Sequence, residues 1–314
     1  RTNESNCISN SSNTTFQTSF LPPVYGVEFF LATAGNSLAI WLLLTRERRN
    51  WHTGVVFSFN LAVSDLLYVL SLPLLVVYYT LNKNWIFSEP VCKIERFLFT
   101  CNLYASIFFI TSISLNRYVG IVHPLFAHSE VRPRHAKLCS VLVWIVVIGI
   151  SAPTIVFSET NTPKSNCTEC LGSASDANLK TYLTYSLFLV FFGCLLPFLL
   201  TFGSYVCILC VVWKNNNISK TEKRKVGLMI LTVILLYTIS FIPYHLLRNI
   251  NLYHRINNTG HTWVFQAYQV TKGLVTLNMC IHPLLYASVF DSMRHICSCV
   301  KEVLSTDSRP GGQS

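Results

Sequence analysis

VGLMILTVILLYTISFIPYHLLRNINLY, residues 226–253, is an unbroken apolar run that carries Pro243, His245 and Arg248 in its second half. Its length is sufficient to cross about 30 Å of hydrocarbon as a helix. A charged side chain in hydrocarbon costs roughly 2.5–3.5 kcal/mol on insertion scales. The run therefore predicts a membrane-spanning helix in which Arg248 either has a use inside the protein or stays near water.

The composition of the whole chain also indicates a membrane protein. Its 314 residues are 51% hydrophobic and 12% charged, against roughly 25% charged residues in soluble domains. Seven apolar segments separated by polar joints are long enough to cross a bilayer. They are residues 22–44, 55–81, 91–122, 136–157, 181–213, 226–252 and 262–290. The predicted fold is an all-α integral membrane protein, a seven-transmembrane helix bundle.

The distribution of Lys and Arg predicts the orientation in the bilayer. Basic residues concentrate in the first, third and fifth joints and in the C-terminal tail, so these parts are expected in the cytoplasm and the N-terminus outside. The formal charge of +10 reflects this topology, and we do not interpret it as binding to a nucleic-acid polymer. Three parts follow: an extracellular glycosylated tail (1–21), a seven-transmembrane domain (22–290) and a cytoplasmic tail (291–314).

Modification motifs agree with this orientation. N-glycosylation sequons in segments predicted outside are Asn3, Asn10, Asn13, Asn166 and Asn257. In the tail, DSMRHICSCVKEVL (291–304) predicts a short amphipathic helix after the seventh span. Palmitoylation of Cys297 and Cys299 would fix this helix on the inner leaflet.

Four cysteines lie in segments predicted outside: Cys7, Cys92, Cys167 and Cys170. An oxidising compartment allows them to pair. Four cysteines allow three connectivities, and the residues alone do not choose among them.

Polar side chains and prolines recur within the apolar segments. The motifs are LAVSDLL with Asp65, SLNRYVGIVHP with Arg117, FIPY with Pro243 and NMCIHPLLY with Pro283. A carboxylate at mid-bilayer must pair or bind an ion, and proline kinks can act as hinges. As a set with this spacing, the motifs resemble those of the rhodopsin-like (class A) G-protein-coupled receptors over essentially the whole chain.

Longer stretches resemble the metabotropic purinergic branch of that family. They are CKIERFLFTCNLYASIFFITSISLNRYVGIVHP, FIPYHLLR, YQVTKGLVTLN and ECLGSASDANLKTYLTYS. The nearest match is the ATP-preferring type that couples to adenylyl cyclase and phospholipase C. The resemblance implies a plasma-membrane receptor for extracellular nucleotides, above all ATP. It also implies coupling through Gs or Gq heterotrimers to cyclic AMP and calcium, with arrestin as a further partner.

The resemblance also implies roles for individual residues. Cys92 and Cys170 match the cysteines that join the third helix to the second extracellular loop, and Cys7 then either pairs with Cys167 or stays unpaired. The residues that match the activation and G-protein switch are Asn116, Arg117, Tyr118, Tyr205, Phe241, Pro243, Pro283 and Tyr286. The sodium and polar core corresponds to Asp65, Ser106, Asn278 and His282.

Two positions depart from the family pattern. Asn116 replaces the usual carboxylate beside Arg117. This substitution predicts a less stable inactive state and raised basal activity. His282 replaces Asp or Asn, and an imidazole is a poor ligand for a hard cation. We therefore expect no cofactor, and at most weak sodium binding near Asp65, with a hydrogen bond between His282 and Asp65 as the alternative.

Basic side chains near the outer helix ends form the predicted ligand site. Arg96, His245, Arg248 and Lys272 match the basic set that engages polyphosphate in the purinergic branch. Arginines bind phosphate bidentately and lysine supplies a point charge. The aromatic residues Phe99, Tyr244 and Tyr268 are candidates for stacking on a nucleobase.

Each basic residue also has a structural alternative. Arg248 can snorkel to the interface, Arg96 can pair with Glu95, and His245 can contact a neighbouring hydroxyl. Asp65 can serve as a hydrogen-bond hub, and Arg117 as a snorkelling cation.

Other functions are compatible with parts of this pattern. The same basic cavity could bind a carboxylate metabolite or an acidic lipid, or could carry an anion in a transporter. Transporters often contain internal repeats, and we find none. An enzyme is not expected, because no nucleophile–base pair, metal-ligand cluster or glycine-rich phosphate loop is apparent in the sequence.

Overall fold

The structure is a computed structural model that describes residues 12–46, 51–161, 167–172, 178–216 and 218–307. For residues 12–13, 46, 128 and 286–307 it describes the backbone alone. The helices are α1 (Ser12–Arg46), α2 (Thr53–Val69), α3 (Leu72–Thr80), α4 (Glu89–Val122), α5 (Pro124–Glu130), α6 (Pro133–Ser151), α7 (Pro153–Phe157), α8 (Leu179–Phe188), α9 (Leu196–Lys214), α10 (Lys220–Leu236), α11 (Ile242–Ile256) and α12 (Thr262–Asp307).

These helices form seven spans. The first, third and seventh spans are α1, α4 and α12, and the second and fourth are α2–α3 and α6–α7. The fifth span joins α8 to α9 through a π-helical segment, Leu189–Leu195, and the sixth joins α10 to α11 through another, Tyr237–Phe241. Six spans within the described residues are long and apolar enough to cross a membrane. The bundle agrees with the predicted architecture.

Prolines explain the interruptions. Each π segment ends just before a helix whose first turn holds a proline, Pro197 or Pro243. A proline lacks the N–H that an upstream carbonyl would accept, so the helix widens there. The predicted pivot of the sixth span, Phe241 and Pro243, lies at this irregularity.

Pro283 lies inside α12 without interrupting it. It leaves the carbonyl of Met279 without its helical partner, and the side chain of Asn36 donates to that carbonyl at 2.9 Å. Gly35 permits the close packing, because a Cβ there would lie 3.0 Å from Pro283 Cγ. The first and seventh spans are joined at this point.

The first and seventh spans extend furthest beyond their predicted bounds. The first span begins at Ser12, ten residues before the predicted residue 22, so the predicted tail 1–21 includes helical residues. At the other end, the backbone of 291–304 continues α12 to Asp307. The predicted amphipathic segment is therefore helical but continuous with the seventh span.

The bundle has a largely apolar core that also contains buried polar side chains, and its outer faces expose further large apolar side chains. Asp65, Asn36 and His282 are fully buried, whereas Phe30, Leu70 and other large apolar side chains are exposed on the outer faces. This distribution suits a lipid environment, where polar groups face the bundle interior.

A two-stranded antiparallel hairpin, β1 (Glu159–Asn161) and β2 (Glu169–Leu171), covers the end of the bundle where α4 begins. The Cys92–Cys170 disulfide joins β2 to the first turn of α4, with Cα atoms 5.7 Å apart. The predicted pairing of these two cysteines is confirmed. Cys167 is also disulfide-bonded, and Cys7, its predicted partner, lies outside the described residues.

Candidate functional site

A cavity of about 320 Å³ lies beneath the β hairpin, between the ends of the second, third, fifth, sixth and seventh spans. This volume is at the small end of the range of about 300–1,000 Å³ for small-molecule sites. The predicted site residues that line it are Arg96, Phe99, Tyr244, Arg248, Tyr268 and Lys272. The structure thus brings together six of the seven residues proposed for ligand contact.

Arg96 is held by its own helix and by the hairpin. Its Nη2 donates to the carbonyl of Cys170 at 3.0 Å. Its Nε lies 3.2 Å from a carboxylate oxygen of the buried Glu95. The predicted structural pairing with Glu95 is therefore present, and Arg96 lines the cavity as well.

Arg248 is 7% exposed and does not snorkel to the interface in this structure. Its Nη2 donates to the hydroxyl of Tyr182 at 2.6 Å, and its guanidinium lies 5.3 Å from the centre of that ring. Tyr182 in turn donates to the carbonyl of Gly172 at 3.0 Å. The partner of Arg248 is thus a neutral hydroxyl.

Lys272 is 6% exposed. Its ammonium lies 5.5 Å from the centre of the Phe99 ring, within the range of a cation–π contact. Within the described part of the chain, neither Lys272 nor Arg248 forms an ion pair with a carboxylate.

Three aromatic rings form one side of the cavity. Phe99 and Tyr244 meet edge to face at 5.9 Å between centroids, and Tyr244 and Tyr268 are tilted at the same separation. These rings are in contact with one another and beside the cations, so a flat ligand group could pack against them.

His245 does not line the cavity. It is 1% exposed, and its ring packs against Tyr104 and Tyr244 at 5.7 and 5.4 Å between centroids. Because helical residues three apart share a face only approximately, Arg248 reaches the cavity while His245 turns towards the third span. His245 is thus the one predicted ligand residue that is not part of the cavity lining.

A second group of polar side chains lies deeper, between the second, third and seventh spans. His282 Nδ1 lies 2.8 Å from one carboxylate oxygen of Asp65, and both residues are fully buried. Asn102 donates to the other oxygen of Asp65 at 2.9 Å. Both oxygens of Asp65 therefore have hydrogen-bond partners within the chain.

The other two residues of the predicted polar core lie nearby. Ser106 is buried, and Asn278 accepts a hydrogen bond from Ser240 at 3.1 Å. Asn278 therefore joins the seventh span to the sixth, beside its π segment.

At the opposite end of the bundle, Asn116 and Arg117 have different partners. Asn116 accepts a hydrogen bond from Thr53 at 2.5 Å, which joins the third span to the second. Arg117 is 4% exposed and contacts the sulfur of Met229 in the sixth span. No carboxylate within the described residues pairs with Arg117.

The remaining switch residues lie in the third, fifth, sixth and seventh spans. Tyr205 accepts a hydrogen bond from Ser114 at 2.7 Å, and Phe241 is buried. Tyr118 lies 3.2 Å from His123, its hydroxyl to Nε2. The side chain of Tyr286 lies outside the described part of the structure.

Comparison with known proteins assigns the family. The family described as "7 transmembrane receptor (rhodopsin family)" matches residues 35–286. The chain belongs to the rhodopsin family of seven-transmembrane receptors. Within that family it belongs with the purinoceptors, as the following relatives indicate.

Two relatives illustrate the similarity of the receptor to that group. Purinoceptor 11 of Homo sapiens is 40% identical over 308 residues, which cover 90% of this chain and 82% of the relative. Purinoceptor 1 of Gallus gallus is 35% identical over 310 residues, which cover 96% and 85%. The predicted family and branch are confirmed. The protein is accordingly a multi-pass membrane receptor of a family that is not one of enzymes.

Some predicted sites in the receptor lie beyond what the structure describes. Asn3, Asn10 and Asn166 are outside the described residues, and for Asn13, Cys297 and Cys299 the backbone alone is described, in α1 and α12. Glycosylation and lipidation at these residues stay predictions.

The sequence did not point to several contact residues of the receptor, among them Tyr182, Gly172 and Glu28. Tyr182 and Gly172 complete the contacts of the arginines, and Glu28, buried in the first span, accepts a hydrogen bond from Thr276 at 3.0 Å. Tyr182 and Tyr185 are three residues apart at the start of the fifth span, so they share a helix face near the predicted cavity. That spacing was the available signal for Tyr182.

Proposed function

We propose that this chain is a cell-surface receptor for extracellular nucleotides, with ATP as the main agonist. The N-terminus is extracellular, and the receptor signals through Gs or Gq heterotrimers to cyclic AMP and calcium, with arrestin as a further partner. The observation that carries the proposal is the pair of buried cations, Arg248 and Lys272, which form no ion pair with a described carboxylate.

A buried cation without a counter-ion is costly, because burial removes its hydration. A phosphate chain would supply the missing negative charge, and guanidinium groups bind phosphate by two parallel hydrogen bonds. Arg96 of the third span adds a third cation to the cavity, although Glu95 already neutralises part of its charge. The names of the relatives, purinoceptors, agree with a nucleotide.

The base and the phosphates would contact different parts of the cavity. The rings of Phe99, Tyr244 and Tyr268 lie beside the cations, so the nucleobase would pack on them while the phosphates reach Arg248 and Lys272. His245 does not line the cavity, and we assign it a packing role against Tyr104 instead of a phosphate contact.

Activation would be a shift between two populations of the bundle. A polyphosphate that contacts the third, sixth and seventh spans draws their outer ends together. The sixth span then pivots at the π segment before Pro243, and its inner end moves away from Arg117. Arg117, Tyr205 and Tyr286 rearrange to admit a G protein. The nucleotide must bind the active state more tightly, since equal affinity for both states would shift nothing.

The test is a ligand screen in cells without nucleotide receptors of their own. Cyclic AMP and calcium are measured while ATP, ADP, a dicarboxylate and an acidic lipid are titrated, with surface expression measured by antibody. We expect responses to ATP. A response to the dicarboxylate or the lipid alone, from receptor present at the surface, would overturn the proposal. Uptake of a labelled anion without any second-messenger response would indicate a transporter instead.

A further inference from the structure

The contacts of Arg248 assign a role to Tyr182. The Tyr182 hydroxyl accepts a hydrogen bond from Arg248 at 2.6 Å and donates one to the carbonyl of Gly172 at 3.0 Å. The two bonds use the hydroxyl as donor and acceptor at once, which fixes its orientation. Arg248 is thereby connected to the segment that follows β2.

The ring of Tyr182 is itself held in place. It packs edge to face against Phe157 of the fourth span at 5.2 Å, and against Tyr185 at 6.1 Å between centroids. Tyr185 donates to the carbonyl of Ile150 at 2.6 Å. Tyr182 therefore has little freedom to move when Arg248 is perturbed.

Arg96 ends at the same loop segment from the other side of the cavity. It donates to the carbonyl of Cys170, two residues before Gly172. A Cβ at Gly172 would lie 3.0 Å from Cδ and Nε of Arg96, so the absence of a side chain lets the segment lie against the guanidinium. Contacts with residues 170–172 thus fix the positions of both arginine side chains, directly for Arg96 and through Tyr182 for Arg248. The Cys92–Cys170 disulfide joins these residues to the third span.

A neutral partner is well suited to an arginine that must bind an anion. A carboxylate partner would cancel the charge of Arg248, whereas a hydroxyl leaves the charge and uses one of five N–H donors. A free arginine side chain samples many rotamers, and restricting it before binding reduces the conformational entropy lost on binding.

We propose that Tyr182 is a positioning residue for phosphate recognition: its hydroxyl, anchored on the Gly172 carbonyl, orients Arg248 in the outer cavity. This inference rests on the proposed function, because it assumes a phosphate ligand. Tyr182 acts through Arg248 and need not touch the nucleotide.

The test is Tyr182→Phe, which keeps the ring and its packing and removes the hydroxyl. The concentration of ATP for half-maximal cyclic AMP response should rise about tenfold, the scale of one hydrogen bond to a charged group. Tyr253→Phe is the matched control, since Tyr253 is an exposed tyrosine of the sixth span that does not line the cavity. It should leave ATP potency within about twofold of wild type.

A double-mutant cycle separates positioning from a general effect on folding. In the Arg248→Ala background, adding Tyr182→Phe should change ATP potency less than about twofold, because the residue it orients is gone. A full tenfold loss in that background would overturn the inference, as would unchanged or higher ATP potency in Tyr182→Phe alone. Absence of any ATP response from surface-expressed wild type would instead refute the proposed function.

Discussion

The cavity beneath the β hairpin, here called the outer cavity, and the polar core at Asp65 differ in how their buried charged side chains are paired. In the outer cavity, Arg248 and Lys272 are buried beside a hydroxyl and an aromatic ring, and neither pairs with a described carboxylate. In the polar core, Asp65 has partners at both carboxylate oxygens, Asn102 and His282. Two cations of the cavity thus have no carboxylate partner within the described residues, whereas both oxygens of the Asp65 carboxylate have hydrogen-bond partners within the chain.

The difference indicates which site is built for a ligand. Buried charges require partners, so a site that leaves its cations without anions is completed by an anionic ligand. A site whose carboxylate already accepts two hydrogen bonds has less to gain from an added cation. The cavity should therefore bind phosphate groups. Sodium should not change the affinity of the receptor for ATP.

Arg248→Ala is expected to have the largest effect. Loss of a charge-assisted contact costs about 1.5–3 kcal/mol, so the ATP concentration for half-maximal response should rise roughly 10- to 150-fold. Lys93→Ala is the control, because Lys93 is a basic residue of the third span that pairs with Glu89 outside this cavity. Equal ATP potency in Arg248→Ala and wild type would mean that Arg248 has a structural role and does not bind the phosphates.

Lys272→Gln should lower the potency of ATP by a smaller factor than Arg248→Ala does. Lysine acts as a point charge without the two parallel bonds of arginine, so we expect up to about a tenfold loss of potency in calcium and cyclic AMP titrations. Lys272→Arg, which keeps the charge, should retain most of the response. If Lys272→Gln and Lys272→Arg were equally impaired, size at this position and not charge would be responsible.

Asn116→Asp should lower basal signalling. A carboxylate beside Arg117 would add an ion pair that the present structure lacks, while keeping an acceptor for the Thr53 hydroxyl. An added pair of about 1 kcal/mol shifts the equilibrium towards the inactive state about fivefold. Basal cyclic AMP at matched surface expression measures this, with Thr53→Val as a variant that adds no charge. Unchanged basal activity would mean that Arg117 is restrained by other contacts.

The smallest expected effect concerns sodium. Replacing sodium chloride with N-methylglucamine chloride should not change ATP affinity in membranes of wild type, because His282 and Asn102 already use the oxygens of Asp65. His282→Asn removes the imidazole and should create a sodium dependence of about two- to threefold, a modest coupling. Asp65→Asn in that background should abolish the dependence. A sodium effect already present in wild type would contradict the account of the core.

The sequence predicted the seven spans, and six of the seven residues predicted for ligand contact line the cavity, because apolar length and motif spacing are local properties. Sequence analysis also raised the alternative that His282 contacts Asp65, and the structure contains that contact. Charge pattern and family resemblance together led to Arg96, Arg248 and Lys272, which line one cavity.

What the sequence did not predict depends on distances between segments. Tyr182 lies 66 residues from Arg248 along the chain, and no local pattern joins them. His245 shares a helix with Arg248, yet the helical rotation between the two residues turns His245 away from the cavity. The continuation of α12 past residue 290 was likewise not apparent, because the tail pattern suits either a separate or a continuous helix.

Competitive binding of ATP, ADP, AMP and adenosine to the purified receptor tests the central claim most directly. In wild type, affinity should rise with the number of phosphates, because each adds negative charge near unpaired cations. In the Arg248→Ala, Lys272→Gln double variant that rise should flatten. Adenosine that binds wild type as tightly as ATP, or an equally steep rise in the double variant, would contradict the account.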